Sequence, residues 1–386
     1  MPEQVVVVGA GLAGARSCQE LRAQGYTGAI TLLGAETHLP YDRPPLSKQL
    51  LLGELDNTTL AIDWAALDIG MALGRRASGL RPGAVETDSG DLACDAVVLA
   101  TGSRPVTLPG PGKVLRTVDD AVALRTALRP GARLVVVGAG WIGAEVATAG
   151  VAAGCHVVVL EAAPTPLAVP LGEAVGALVV PWYAAAGIEL RTGVGVVAVE
   201  GDGVVLAGGE LLPADVVVVG IGARPETEWL RDSGLPLDPG VVVDASLSAG
   251  WPGVVAVGDI ASWWSPRFRQ RLRVEHWDLA MTSPAGAAAT LLGRPAVYDP
   301  VPYFWSDQLG QMVQFSGHRS GADRVVHRGD PAGRAWSVCW LEGEQLVAVL
   351  AVNGPRDNRM GRKRIALGSP VDEAALADPA VPIEAA

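Results

Sequence analysis

The sequence predicts an α/β fold, and three observations carry the prediction. Two glycine fingerprints, VVVVGAGLAG at Val5–Gly14 and LVVVGAGWIG at Leu134–Gly143, each sit between a strand-like run and a helix-like run, and each is followed by an acidic residue. Valine-rich runs of roughly four to six residues, bounded by Gly, Pro and Asp, suit parallel strands buried on both faces. After Pro302 the fingerprints cease, and alternating runs such as QMVQFSG and RAWSVCWLEGEQLVAVLAVNG read as antiparallel strands. The pattern is two Rossmann-like dinucleotide-binding domains, one interrupting the other, with a C-terminal α+β domain.

Along the chain, the first fingerprint supplies Gly9 for a tight turn, Gly11 for close approach of the backbone to a pyrophosphate, and Gly14 for helix–strand packing. Leu12 and Ala13 open the helix, whose N-terminal amides and dipole favour an anion. Glu36 follows the apolar run Ala29–Leu33, where a carboxylate would accept hydrogen bonds from a ribose diol. Gly138, Gly140 and Gly143, with Trp141 and Ile142 opening the helix, repeat the device, and Glu161 follows His156–Leu160. One G-x-G-x-x-G in an alanine- and glycine-rich chain is weak; two in the same strand–turn–helix–strand context, each with its acid, imply two dinucleotides.

Between the fingerprints, DAVVLATGSRP (Asp95–Pro105) is a buried strand ending in Ala100, Thr101 and Gly102, with Arg104 just beyond. PADVVVVGIGARPE (Pro213–Glu226), which contains Gly222, repeats it. GVVAVGDIA (Gly253–Ala261) places Gly258 and Asp259 at a third strand end. The order fits a first domain of residues 1–108 and 234–301, an inserted domain of residues 109–233, and a third of residues 302–386.

Composition narrows the class. A chain of 386 residues has room for two to three domains. No apolar stretch reaches the roughly 20 residues of a membrane-spanning helix, and MPEQVVVVGAG enters a strand with no basic leader, so a soluble cytoplasmic protein is expected. Cys18, Cys94, Cys155 and Cys339 form no C-x-x-C or metal-like spacing and read as buried structural thiols. A net charge of −11 argues against general affinity for nucleic acid. Arg267, Arg269, Arg271 and Arg273, and again Arg356, Arg359, Arg362, Lys363 and Arg364, are nevertheless clustered. Charge alone leaves two readings open, solvated segments or a positive docking face for an acidic partner.

PYDRPPLSK (Pro40–Lys48), both fingerprints, ATGSRP, VGDIA, VEHW (Val274–Trp277), PYFWSDQ (Pro302–Gln308) and AVNGPRD (Ala351–Asp357) stand in this order over nearly the whole chain. The sequence thereby resembles the NADH-dependent ferredoxin reductases of oxygenase systems, within the glutathione-reductase-like superfamily. The resemblance implies an FAD domain interrupted by an NAD domain, then a C-terminal interface domain. It implies FAD on the first fingerprint with Glu36 on its ribose, Arg43 and Lys48 beside the flavin, and Asp259 on the ribityl chain. It also pairs Glu145 with Lys48, and these two are the candidate catalytic residues. A cation near flavin N5 stabilises the reduced, anionic ring, and a carboxylate keeps that cation oriented. Trp277 and Trp305 resemble positions lining the flavin and nicotinamide, with core packing as the alternative. Trp141 matches an aromatic that covers the flavin in some relatives, with helix–sheet packing as the default.

Glu161 followed by Ala162, Ala163 and Pro164 would accept the 2′-hydroxyl of NADH, and no arginine there receives a 2′-phosphate. Tyr41–Leu52, where relatives of the wider fold carry redox cysteines, has none. Electrons would then leave for an external acceptor, an acidic ferredoxin, which gives the arginine segments weight as a docking face. The sequence departs from the family where Leu279 replaces an Asn and Ser283-Pro284 replace Gln-Gly. Pro284 is expected to be tolerated in the first turn of a helix and to break it later. Two alternatives stand beside the reductase: a redox-dependent binding module resembling apoptosis-inducing factor, and a biosynthetic flavoenzyme with a small-molecule acceptor.

Overall fold

The computed structural model describes residues 2–386. The chain divides into two compact units, one of Met1–Asp42, Thr59–Arg104 and Arg224–Tyr303, the other of Arg43–Thr58, Pro105–Ala223 and Phe304–Ala386.

In the first unit a parallel sheet runs in the order Val254–Ala256, Ala96–Leu99, Gln4–Val8, Ala29–Gly34, Ile69–Leu73. Val5, Val6, Val7 and Val8 are buried because both faces of the central strand are covered, which is why that run does not alternate. Strand order reverses at Gln4–Val8, with Val5 opposite Ile30 on one side and Ala96 on the other. Its C-terminal edge is therefore a topological switch point, where open α/β sheets bind ligands. The helix Leu12–Ala23 leaves that edge and packs along the helix Trp277–Leu291.

The second unit repeats the device with Glu189–Thr192, His156–Glu161, Arg133–Val137 and Val216–Val219, and order reverses at Arg133–Val137. The same unit carries the antiparallel sheet Tyr303–Gln308, Gln311–Gly317, Gln345–Val352, Trp336–Glu342, Arg324–Arg328, with the helix Pro355–Leu367 against it. Phe315, Trp336, Val338, Trp340 and Leu350 of this sheet share one core with Leu167, Leu171, Val175 and Val179. That shared core joins the C-terminal sheet to the inserted segment, a grouping invisible in the linear order. The Arg328 guanidinium, whose side chain is 4% exposed, pairs with Asp357 at 2.8 Å and donates to the carbonyls of Leu376, Asp378, Pro379 and Val381, fastening the C-terminal tail.

One expectation is corrected. Pro284 lies well inside Trp277–Leu291, and the helix runs through it. Thr282 and Ser283 turn their hydroxyls back to the carbonyls of Asp278 and Leu279, at 2.8 and 2.6 Å. Ser283, Pro284, Ala287 and Ala288 are buried, so packing offsets the missing N–H.

Candidate functional site: two dinucleotide cradles and a buried ion pair

The first fingerprint has the geometry of a pyrophosphate cradle. Gly9 sits at φ +114°, and a Cβ there would come within 2.2 Å of the Ala100 carbonyl oxygen. A Cβ on Gly14 would meet the Gly9 oxygen at 1.9 Å, whereas Gly11 has nothing within 4 Å. The turn thus demands glycine at its ends and is open at its middle, where a ligand would approach. Leu12–Ala23 begins after Gly11 with no side-chain cap, so no side chain of this helix start competes for its first amides.

Neighbouring strand ends converge here. A Cβ on Gly258 would meet Ala13 at 3.0 Å, which places the Gly258–Asp259 turn against the fingerprint helix. The Asp259 carboxylate accepts the Ser103 hydroxyl at 2.9 Å, and the Gly258 N–H donates to Ser283 Oγ at 3.1 Å. Thr101 donates to the Glu226 carbonyl at 2.8 Å, and Glu226 N–H returns a bond to the Gly102 carbonyl. Arg104 is committed to two acids, Glu228 and, at 3.4 Å, Glu226. Trp277 is half-buried rather than core, and its indole N–H donates to Asp42 at 2.8 Å. Glu36 follows its strand and accepts the Tyr41 hydroxyl at 2.6 Å.

The second cradle reproduces the first. A Cβ on Gly138, at φ +102°, would meet the Gly220 oxygen at 2.4 Å, one on Gly143 the Gly138 oxygen at 2.0 Å, and one on Gly140 nothing nearer than 4.0 Å. Glu161 accepts the Ala139 N–H at 2.7 Å and the Ala163 N–H at 2.8 Å, which fixes its carboxylate beside the turn. Gly222 stands at φ +114° with open space around it, and Ile142 is exposed. Trp141 meets Phe304 edge-on, with ring centroids 4.6 Å apart, and so packs against the C-terminal sheet.

Lys48 and Glu145, separated by 97 positions in sequence, form a 2.9 Å ion pair with side chains 12% and 3% exposed. Sequence reasoning missed the rest of this centre. The Glu145 carboxylate also accepts the hydroxyls of Ser47 and, at 2.6 Å, Ser306. A buried carboxylate with one partner is costly; three donors remove most of that cost. Both serines lie inside motifs already singled out, PYDRPPLSK and PYFWSDQ, and a search for donors to a helical glutamate would have found them. Thr148, one turn beyond Glu145, accepts the Leu309 N–H at 2.8 Å. Trp305 beside Ser306 is half-buried, and Arg43 donates to the Arg116 carbonyl at 2.5 Å.

Known proteins resemble this chain over nearly its whole length. The family model described as pyridine nucleotide-disulphide oxidoreductase matches residues 3–283, and the reductase C-terminal model matches residues 303–386. The chain belongs to the pyridine nucleotide-disulphide oxidoreductase family. It is 37% identical over 394 residues to the ferredoxin reductase component of chlorobenzene dioxygenase from Cupriavidus sp. (strain PS12), covering 98% of this chain and 96% of that protein. The crystal structure of Fdr9 superposes with a TM-score of 0.95 at 48% identity, over 99% of both chains. The putidaredoxin reductase of a covalent putidaredoxin reductase–putidaredoxin complex does so with a TM-score of 0.95 at 34% identity, over 99% of this chain and 97% of that one. Pyridine nucleotide-disulphide oxidoreductases of this type use FAD and NAD(H), and the two open-centred glycine turns fit two dinucleotides.

Against this family background the thiols are informative. All four cysteines are free; Cys18, Cys94 and Cys339 are buried, and Cys155 is half-buried, its Sγ donating to the Arg129 carbonyl. Burial pushes the Cys18 and Cys339 thiols up to about 12, so neither is a thiolate near neutrality. Among the described residues no group of His, Cys, Asp and Glu is arranged to hold a metal, and no helix is long and apolar enough to cross a membrane.

The basic clusters differ from one another. Arg271 donates to the carbonyls of Val243 and Ser262, and Arg273, 19% exposed, pairs with Glu275 at 2.7 Å. Both side chains are thus bonded close to their own strand, while Arg271 stays exposed. Arg267 offers its main-chain N–H to Asp299, and Arg269 is exposed at the hairpin turn. On the helix Pro355–Leu367, by contrast, Arg356, Arg359 and Lys363 are exposed at spacings of three and four, on one face.

Proposed function

We propose that this protein is an FAD-containing NADH:ferredoxin oxidoreductase serving an oxygenase. The observation that carries the reading is a pair of dinucleotide cradles in a chain whose Tyr41–Leu52 stretch offers no cysteine to receive electrons. The ferredoxin reductase components among its full-length relatives support it. Bound flavin accepts two electrons from NADH and gives them up singly, the conversion a one-electron carrier needs.

On this reading residues 1–108 and 234–301 hold FAD, residues 109–233 hold NADH, and residues 302–386 form the interface domain. The first cradle takes the FAD pyrophosphate, Glu36 its ribose and Asp259 its ribityl chain. Lys48 presents its ammonium to the flavin, and Glu145, clamped by Ser47 and Ser306, orients it without moving a proton. Glu161, already anchored by two amides, takes the ribose diol of NADH and repels a 2′-phosphate. The exposed face of Arg356, Arg359 and Lys363 receives an acidic ferredoxin. A cytoplasmic location accords with this role.

The test is reconstitution. Purified protein should show a flavin spectrum, prefer NADH to NADPH by kcat/KM, and reduce cytochrome c only when a [2Fe–2S] ferredoxin is added. Equal or better use of NADPH would sink the specificity assignment, and ferredoxin-independent turnover at the full rate would sink the partner.

A further inference from the structure

The acids that follow the two fingerprints are both held by hydrogen bonds to the protein. Glu161 is fixed by backbone amides of its own turn and of the glycine loop. Glu36 has its main chain fixed, since its carbonyl accepts the Gly74 N–H at 2.9 Å and Gly34 accepts the Arg75 N–H at 2.9 Å, at the end of the neighbouring strand Ile69–Leu73. Its carboxylate is engaged by a side chain, the Tyr41 hydroxyl at 2.6 Å.

Tyr41 is a rigid donor. It is 5% exposed, its main chain bridges to Thr59, and the adjacent Pro40 carbonyl accepts the Leu60 N–H at 2.9 Å. A glutamate has several rotatable bonds, and aiming it at a diol costs side-chain entropy at the moment of binding. A short bond from a packed tyrosine settles that cost during folding, which is preorganisation.

We propose that Tyr41 is a positioning residue for the adenosine end of the first dinucleotide: its hydroxyl aims Glu36 at the ribose diol and so sets the preference of this site for FAD over FMN. The proposal rests on reading the first cradle as the FAD site. It gives PYDRPPLSK a second task, because the segment that ends in Lys48 also reaches, through Tyr41, the acid of the first fingerprint. A bland alternative has Tyr41 as a core side chain whose hydroxyl merely needs a partner. The two differ in ligand selectivity. FMN carries the ring, ribityl chain and one phosphate but no adenosine, so general damage to the unit weakens both ligands, whereas a misdirected Glu36 weakens FAD alone.

The experiment strips flavin from the purified full chain and measures Kd for FAD and for FMN by quenching of flavin fluorescence, on wild type, Tyr41→Phe, Glu36→Gln and the double variant. Tyr41→Phe should weaken FAD about tenfold to a hundredfold, the range for a hydrogen bond to a charged group, and leave FMN within about twofold. The double variant should lose little beyond Glu36→Gln alone, because the two side chains act as one unit. An unchanged FAD-to-FMN ratio in Tyr41→Phe would overturn the proposal, as would fully additive losses. If Tyr41→Phe does not fold, an unchanged ratio in Glu36→Gln overturns it equally. A wild-type protein with no preference for FAD would instead remove the underlying cofactor assignment, a distinct result.

Discussion

Glu145 shows how much chemistry one buried residue concentrates. Its carboxylate gathers Lys48, Ser47 and Ser306 from two distant stretches of chain. Withdrawing one donor from a buried charge costs about 1–3 kcal/mol. Ser306→Ala should therefore slow NADH-driven flavin bleaching in stopped flow by about tenfold, without loss of bound FAD, and Ser306→Thr should recover most of the rate. An unaltered rate in Ser306→Ala would show that Lys48 and Ser47 suffice to hold the glutamate. At this scale the sequence was legible where contacts are local. Gly9, Gly11 and Gly14 declare themselves because turn, cradle and helix start lie within a few residues. Ser47 and Ser306 lie 98 and 161 positions from Glu145, and nothing local marks them as its partners. For the same reason, the carbonyls of Val243 and Ser262 and the carboxylate of Glu275 that engage Arg271 and Arg273 carry no signal in a charge count.

Elements were read well where burial on both faces dictates an unbroken valine run, as in Gln4–Val8 and Val216–Val219. The helix Trp277–Leu291 was harder, because the tolerance of Pro284 comes from packing and hydroxyl back-bonds that form only in the folded unit. The helix Pro355–Leu367 carries the prediction at this scale. Its exposed Arg356, Arg359 and Lys363 are free of the internal tasks that occupy Arg271, and Gly361 and Ile365 anchor the other side. Reversing all three charges to Glu should raise KM for ferredoxin about tenfold or more at low salt and spare NADH-to-ferricyanide turnover. The wild-type KM should rise with ionic strength, as screening requires. A ferredoxin KM indifferent to both changes would move docking elsewhere.

For the molecule as a whole, a net charge of −11 with a basic helical face suits selective attraction of one acidic partner rather than general anion binding. The α/β class was legible from the repeated fingerprints. The division into two compact units was not, because Leu167, Leu171, Val175 and Val179 share a core with strands that begin more than a hundred residues later. Electrons enter in pairs from NADH and leave singly to a ferredoxin, with no thiol between. Single-turnover stopped flow tests it most directly: protein reduced with one equivalent of NADH is mixed with oxidised [2Fe–2S] ferredoxin, and flavin and iron–sulfur absorbance are followed together. Flavin reoxidation and ferredoxin reduction should proceed at one shared rate, fast enough to sustain turnover, in protein whose accessible thiols are alkylated. A long-lived reduced flavin–NAD complex that does not reoxidise with ferredoxin, or transfer abolished by alkylation, would contradict it.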